Sequence, residues 1–328
     1  MQRSMKQPRS KAHDRGHIGH PGHYAPWLSG LHRRVRQLLA ALPAGLRAFL
    51  IFGFKQAWAS LFGGVLLALI IATKLVWHQD WPLHRYDGLF IAAVAVQLAF
   101  IVLKLEALEE AKIIFLFHVV GTAMEVFKTH VGSWTYPEAA WLRIGGVPLF
   151  TGFMYASVGS YMVRVIRLFD MRFSNYPPFW ATAALAGGIY VNFFAHHYVL
   201  DFRWLLFVAA FAVYGRCRIY FTVDDRRRWM PLLLACFLTS VFIWCGENVG
   251  TVTGTWSYPG QQPWQLVSLA KMGSWFLLLI ISFVLVTLIH PPQPPDLLDP
   301  AHDPSPGAKP DGALQRFAPA PVSARKAR

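Results

Sequence analysis

Residues 125–138 read EVFKTHVGSWTYPE and residues 247–260 read ENVGTVTGTWSYPG, one string stated twice at a constant offset of 122. Glu125 matches Glu247, Thr129 matches Thr251, Gly132 matches Gly254, Trp134 matches Trp256, Tyr136 matches Tyr258 and Pro137 matches Pro259. Ser and Thr exchange at two more pairs, Ser133 with Thr255 and Thr135 with Ser257. Six identities in fourteen positions, Trp and Tyr among them, read as an internal duplication.

The chain around the two copies is apolar. Its 328 residues are 55% hydrophobic, 15% aromatic and 15% charged, with mean hydropathy +0.36, which points to a polytopic membrane protein rather than a soluble domain. Eight apolar runs lie near 57–76, 88–103, 112–127, 148–166, 179–195, 199–215, 230–249 and 267–289. The offset of 122 maps the third run onto the seventh and so carries an even number of crossings, which gives both halves one orientation. The expected fold is an all-α polytopic membrane protein of about eight transmembrane helices in two parallel four-helix repeats, with halves near 55–175 and 176–290 of a transmembrane domain at 55–290.

The net charge of +14 is explained by position rather than by nucleic acid, which is not an expected partner. With the amino terminus inside, cytoplasmic segments hold 25 Lys and Arg against six outside, so both termini are expected in the cytoplasm, with an even number of spans between them. Arg164, Arg167 and Arg226 to Arg228 are expected on the inner side, at anionic headgroups. Residues 1–30, with His13, His17, His20 and His23, and residues 291–328, rich in Pro, Asp and Ala, read as disordered tails. Residues 31–54 alternate Arg with Leu, Ala and Phe as an interfacial amphipathic helix does. Cys217, Cys236 and Cys245 have no ligand-pair spacing.

Both copies of the motif run from the end of an apolar run into a loop. A carboxylate there is either at the water interface or paired and turned into the bundle, and the interfacial reading makes the Trp and Tyr an aromatic belt. Recurrence of the acid, the Trp and the Tyr in register favours a functional role. His118, Thr122 and Glu125 share one helix face at i, i+4 and i+7, a spacing suited to proton transfer, metal ligation or a buried hydrogen-bonded His. Ser240 takes the place of His118 in the second copy, and Asn248 and Gly250 replace Val126 and Lys128.

Glu125, Glu247 and His118 are therefore the expected catalytic groups. The expected binding groups are Lys128, Trp134, Tyr136, Asn248, Trp256, Tyr258, Lys271 and the cluster His196, His197, Asp201 and Arg203. Lys271 is a partner for Glu247 or a snorkelling interfacial cation. No nucleotide-binding glycine loop, nucleophile elbow or HExxH motif occurs, so no pattern names a cofactor or metal.

The stretches FKQAWASLFG, HVVGTAMEVFKTHVGSWTYPE, GFMYASVGSYMVRVIRLFD, NYPP, NFFAHHYVLDFR and IWCGENVGTVTGTWSYPGQ together resemble a bacterial integral membrane family catalogued as domain of unknown function 817, over roughly residues 50–290. That resemblance implies a bacterial inner-membrane protein and carries no activity with it. The local pattern of acid, Gly and aromatic pair also looks somewhat like that of membrane carotenoid cyclases and hydratases, which act on carbon–carbon double bonds by acid catalysis. The expected function is an intramembrane enzyme acting on an apolar lipid or isoprenoid. The rivals are a small transporter, marked by helices interrupted near the midplane, and a structural or assembly protein.

Overall fold

The computed structural model describes residues 34, 37–78, 80–106, 108–224, 226–262 and 264–295, with backbone alone for 108–111. The tails expected to be disordered, residues 1–30 and all but the start of 291–328, lie outside the described residues, as do 31–33, 35 and 36.

Each of the eight apolar runs is helical. They form α2 (Leu61–Val76), α3 (Arg85–Val102), α4 (Leu108–His130), α5 (Phe150–Leu168), α6 (Phe179–Ala195), α7 (Arg203–Tyr214), α8 (Leu232–Val252) and α9 (Leu269–Ile289), preceded by α1 (Ala44–Ala59). Pro43, Pro178 and Pro231 stand directly before α1, α6 and α8. A proline there fixes φ near the helical value and has no N–H to leave unsatisfied. By length and apolarity four helices can cross a membrane: α3, Lys112–His130 of α4, α8 and α9. A fifth arises if α1 and α2, bent by 69° about Ser60, are one broken span, while α6 and α7 are shorter apolar helices. The long α5 falls short because it carries Thr151, Ser157, Ser160, Arg164 and Arg167.

The most extensive helix pairing is α4 on α5, followed by α8 on α9, with α6 packed on both α7 and α9. Their shared core includes Ile113, Phe117, Ala156, Ile189, Ala210 and Leu279. Large apolar side chains also point away from it: Phe115, Trp204, Phe211 and Phe242 are each more than 60% exposed.

The structure is not purely helical. Arg143–Ile144 (β1) and Val147–Pro148 (β2) make a small hairpin turned by Gly145 and Gly146 at φ 56° and 83°, the left-handed region that a two-residue hairpin turn requires. Arg172–Ser174 (β3), Arg218–Val223 (β4) and Arg226–Pro231 (β5) form an antiparallel sheet with β4 central, at the end of the bundle away from the duplicated motif. Ile219, Phe221 and Val223 alternate inward along β4, and Phe221 meets Phe52 of α1 and Phe169. Arg226 to Arg228, expected from sequence as an inner-side cluster at headgroups, lie on β5, where Arg227 pairs with Asp170 at 3.2 Å.

Arg164 corrects a second expectation. It is fully buried and pairs with Glu106 at 3.9 Å, while Gln97 and Ser160 donate to the same carboxylate at 2.6 Å each. A guanidinium held in this way is a packing element of α5 rather than a headgroup contact.

Candidate functional site

Helices α4 and α8 end in the same way. Gly132 and Gly254 adopt φ 73° and 64°; their N–H groups donate to Thr129 and Thr251, and the next N–H groups, of Ser133 and Thr255, donate to Lys128 and Gly250. This is a Schellman cap, and it needs glycine because a Cβ is strained at that φ. Each cap turns the chain back across its own helix, so the Trp and Tyr of the motif return to the Glu one turn or more before the helix end.

Beyond the caps the two copies meet. Thr135 and Ser257 form an antiparallel bridge, exchanging backbone hydrogen bonds at 2.9 and 3.0 Å, with their hydroxyls 3.0 Å apart. The bridge is clasped from α3: Arg85 holds Glu138 through two bonds of 2.7 and 2.8 Å and reaches Thr255 at 3.3 Å. Tyr86 donates to the carbonyl of Thr255 at 2.7 Å, and Asp87 accepts from the backbone of Trp141 and Leu142 at 2.9 Å each.

Glu125 and Glu247 are both buried, and both line a single cavity of about 660 Å³ between α2, α4, α5, α6, α8 and α9. Glu125 accepts three bonds: from Trp134 Nε1 and Tyr136 at 2.7 Å, and from Tyr155 of α5 at 2.8 Å. Glu247 accepts from Tyr258, the counterpart of Tyr136. Burial first, and then the adjacent carboxylate, holds both of these loop phenols well above the usual tyrosine range, so they remain donors.

The asymmetry has a steric cause. Trp256 lies over Gly250, where a side chain would run into its ring, and its indole N–H is buried without a hydrogen-bond partner. The counterpart of Gly250 is Lys128, and there Trp134 is turned instead onto Glu125. Lys128 is 2% exposed, stands 2.8 Å from His197 Nε2 and lies 4.1 Å from the centre of the Phe193 ring. Lys271 does not reach Glu247; it stands 4.0 Å from the Tyr258 ring centre and 5.5 Å from that of Trp134.

Lys128, Trp134, Tyr136, His196, His197, Arg203, Trp256, Tyr258 and Lys271 thus share the cavity wall with the two acids. The other expected residues stand elsewhere. Asp201 ties Arg203 at 3.1 Å and Asn192 at 3.0 Å, behind the wall. Asn248 fastens a loop, donating to the carbonyl of Trp244 at 2.7 Å and accepting from the Val267 N–H at 2.9 Å. His118 packs edge-on against Phe153 at 4.8 Å, its ring filling the space left by Gly152 between α4 and α5. Ser240, its counterpart, bonds within its own helix at 2.7 Å. Tyr155 and the Arg85–Asp87 clasp had no motif to announce them. Among the described residues no three His, Cys, Asp or Glu side chains come together as metal ligands.

The fold and site define a mostly helical protein with several helices apolar enough to cross a membrane and one acid-bearing cavity at their capped ends. Over residues 48–283 it matches the family model described as "Protein of unknown function (DUF817)", and the chain belongs to that family. It is 43% identical over 236 residues to the uncharacterized protein YoaT of Bacillus subtilis (strain 168), a match covering 72% of this chain and 89% of that one. No solved structure matches it.

Proposed function

We propose that the protein crosses the bacterial inner membrane several times, with both termini cytoplasmic and two parallel four-helix halves. There it acts as an enzyme that protonates a carbon–carbon double bond of an apolar lipid or isoprenoid. The excess of Lys and Arg in the segments assigned to the cytoplasm supports the orientation, and the outward-facing Phe115, Trp204 and Phe211 suit a lipid environment. The two-half reading draws on the matched caps of α4 and α8 and on the matched pairs α4 with α5 and α8 with α9.

The convergence of Glu125 and Glu247 on one cavity carries the functional reading. Glu125 is enclosed by three donors, Trp134, Tyr136 and Tyr155, whereas Glu247 accepts from Tyr258 and keeps more of its carboxyl group free for a ligand. Glu247 is therefore assigned as the general acid. Its proton adds to one alkene carbon, the ring of Trp275, also on the cavity wall, stabilises the positive charge left on the other, and loss of a proton from a neighbouring carbon to carboxylate completes a rearrangement of the double bond. A Glu247→Gln variant that folds like the parent is expected to lose about 10²–10⁴-fold in turnover. Unchanged lipid and pigment profiles in cells carrying that variant overturn the assignment.

A transporter is the second reading, favoured by one observation. The break between α1 and α2 falls at Ser60, and Ser60, Gly63 and Gly64 lie on the cavity wall. Interrupted helices of this kind line transporter sites. Uptake into proteoliposomes that disappears in Glu125→Gln decides for it.

A further inference from the structure

The cations at the capped end of the cavity are not accounted for by acid catalysis. Lys128 is buried, and its contacts are a histidine nitrogen and an aromatic ring rather than a carboxylate. Lys271 is held over two rings, again without a carboxylate in ion-pair range. The nearby carboxylates are otherwise engaged: Asp201 pairs with Arg203, Glu125 accepts from Trp134, Tyr136 and Tyr155, and Glu247, whose charge Lys271 feels, accepts from Tyr258 and stands outside ion-pair range of that ammonium. Two ammonium groups thus border one cavity without ion-pair partners, with His197 and Arg203 on the same wall. An ammonium removed from water calls for an anion. Deeper in, the wall turns apolar, with Leu67, Val158, Ile189, Ile243 and Leu278.

We propose that Lys128 and Lys271 form a subsite for the anionic head of an amphiphile, a phosphate or carboxylate, whose hydrocarbon chain fills the deeper cavity. This rests on reading the cavity as a substrate pocket and narrows the substrate from any apolar lipid to an acidic or phosphorylated one. The π faces over Lys271 position its ammonium without neutralising it, and neutral His197 accepts from Lys128 while leaving its charge intact.

The test is direct binding, which needs no turnover. Intrinsic tryptophan fluorescence of the full chain in an uncharged detergent is titrated with dodecyl phosphate, dodecanoate, dodecanol and inorganic phosphate. Dodecyl phosphate or dodecanoate is expected to bind at least about tenfold more tightly than dodecanol, and Lys128→Met and Lys271→Met are each expected to remove that preference while leaving dodecanol unchanged. Equal affinity for the charged ligands and the alcohol overturns the proposal, as does a preference that survives both substitutions. Inorganic phosphate binding as tightly as dodecyl phosphate overturns the amphiphile and assigns the site to a free anion. If Lys128→Met fails to fold, Lys271→Met alone decides. A parent that binds dodecyl phosphate but turns over no unsaturated lipid sinks the enzyme and leaves the subsite standing.

Discussion

Thr135 and Ser257 occupy the same position in the two copies of the motif, and they are hydrogen-bonded to each other through both backbone N–H groups. A reciprocal pair of this kind has a local twofold axis between its members, and the site is arranged about it. Glu125 and Glu247 reach the cavity as counterparts, each tethered by the Tyr eleven residues on.

A hydrogen-bonded antiparallel pair sets its Cα atoms about 5.5 Å apart, within disulfide range. The double variant T135C/S257C, with Cys245 replaced by Ser, is therefore expected to lose both new thiols on mild oxidation, as counted by maleimide labelling. Persistent labelling of both contradicts the bridge.

Gly250 is expected to resist enlargement. Gly250→Ala places a methyl group in the Trp256 ring and is expected to cost about 1–3 kcal/mol, read as a lowered midpoint of thermal unfolding in detergent. Gly246, whose Cβ direction is open, is the control and should accept Ala with little change.

The Glu106–Arg164 pair makes a third test. Arg164→Met leaves a buried carboxylate short of its counter-ion and is expected to destabilise by about 3–5 kcal/mol. Adding Glu106→Gln to that variant should recover part of the loss, since the remaining groups are neutral. Additive losses in the double variant contradict the pairing.

The Lys128–His197 bond should respond to pH. Burial first, then the positive charges of Lys128, His196 and Lys271, hold His197 below its ordinary value of 6.5. The unfolded chain takes up the proton near 6.5 and the native one only at lower pH. The stabilisation is thus complete above 6.5 and is lost as pH falls through the native value. His197→Gln, which does not titrate, should flatten the acid side of a plot of unfolding midpoint against pH. An unchanged slope there removes His197 from the bond.

The residues that repeat are the ones whose common location is legible in the sequence. Glu125, Glu247, Trp134, Tyr136 and Tyr258 recur in register, and each stands on the cavity. What lay outside the pattern was hidden for physical reasons. Tyr155 reaches Glu125 from another helix, a contact set by α4–α5 packing with no spacing in the chain to mark it. His118 shares a helix face with Glu125, but Gly152 draws its ring between two helices, and face geometry does not say which neighbour fills the gap. Arg164 ends an apolar run as a topology-setting arginine does, and only its distant partner Glu106 distinguishes the two. The period-two alternation of Ile219, Phe221 and Val223 marks a strand, but the arginines around it also fit an inner-side charge cluster, and pairing with β3 and β5 is not written in either pattern.

Lys128 facing Phe193 and Gly250 beneath Trp256 occupy one structural position with two incompatible contents. Two separate, identical polypeptides meeting at such an axis must carry the same residue on both sides, either two cations or two indole sockets. A single polypeptide that carries both stretches is free of that constraint, and here the two positions differ.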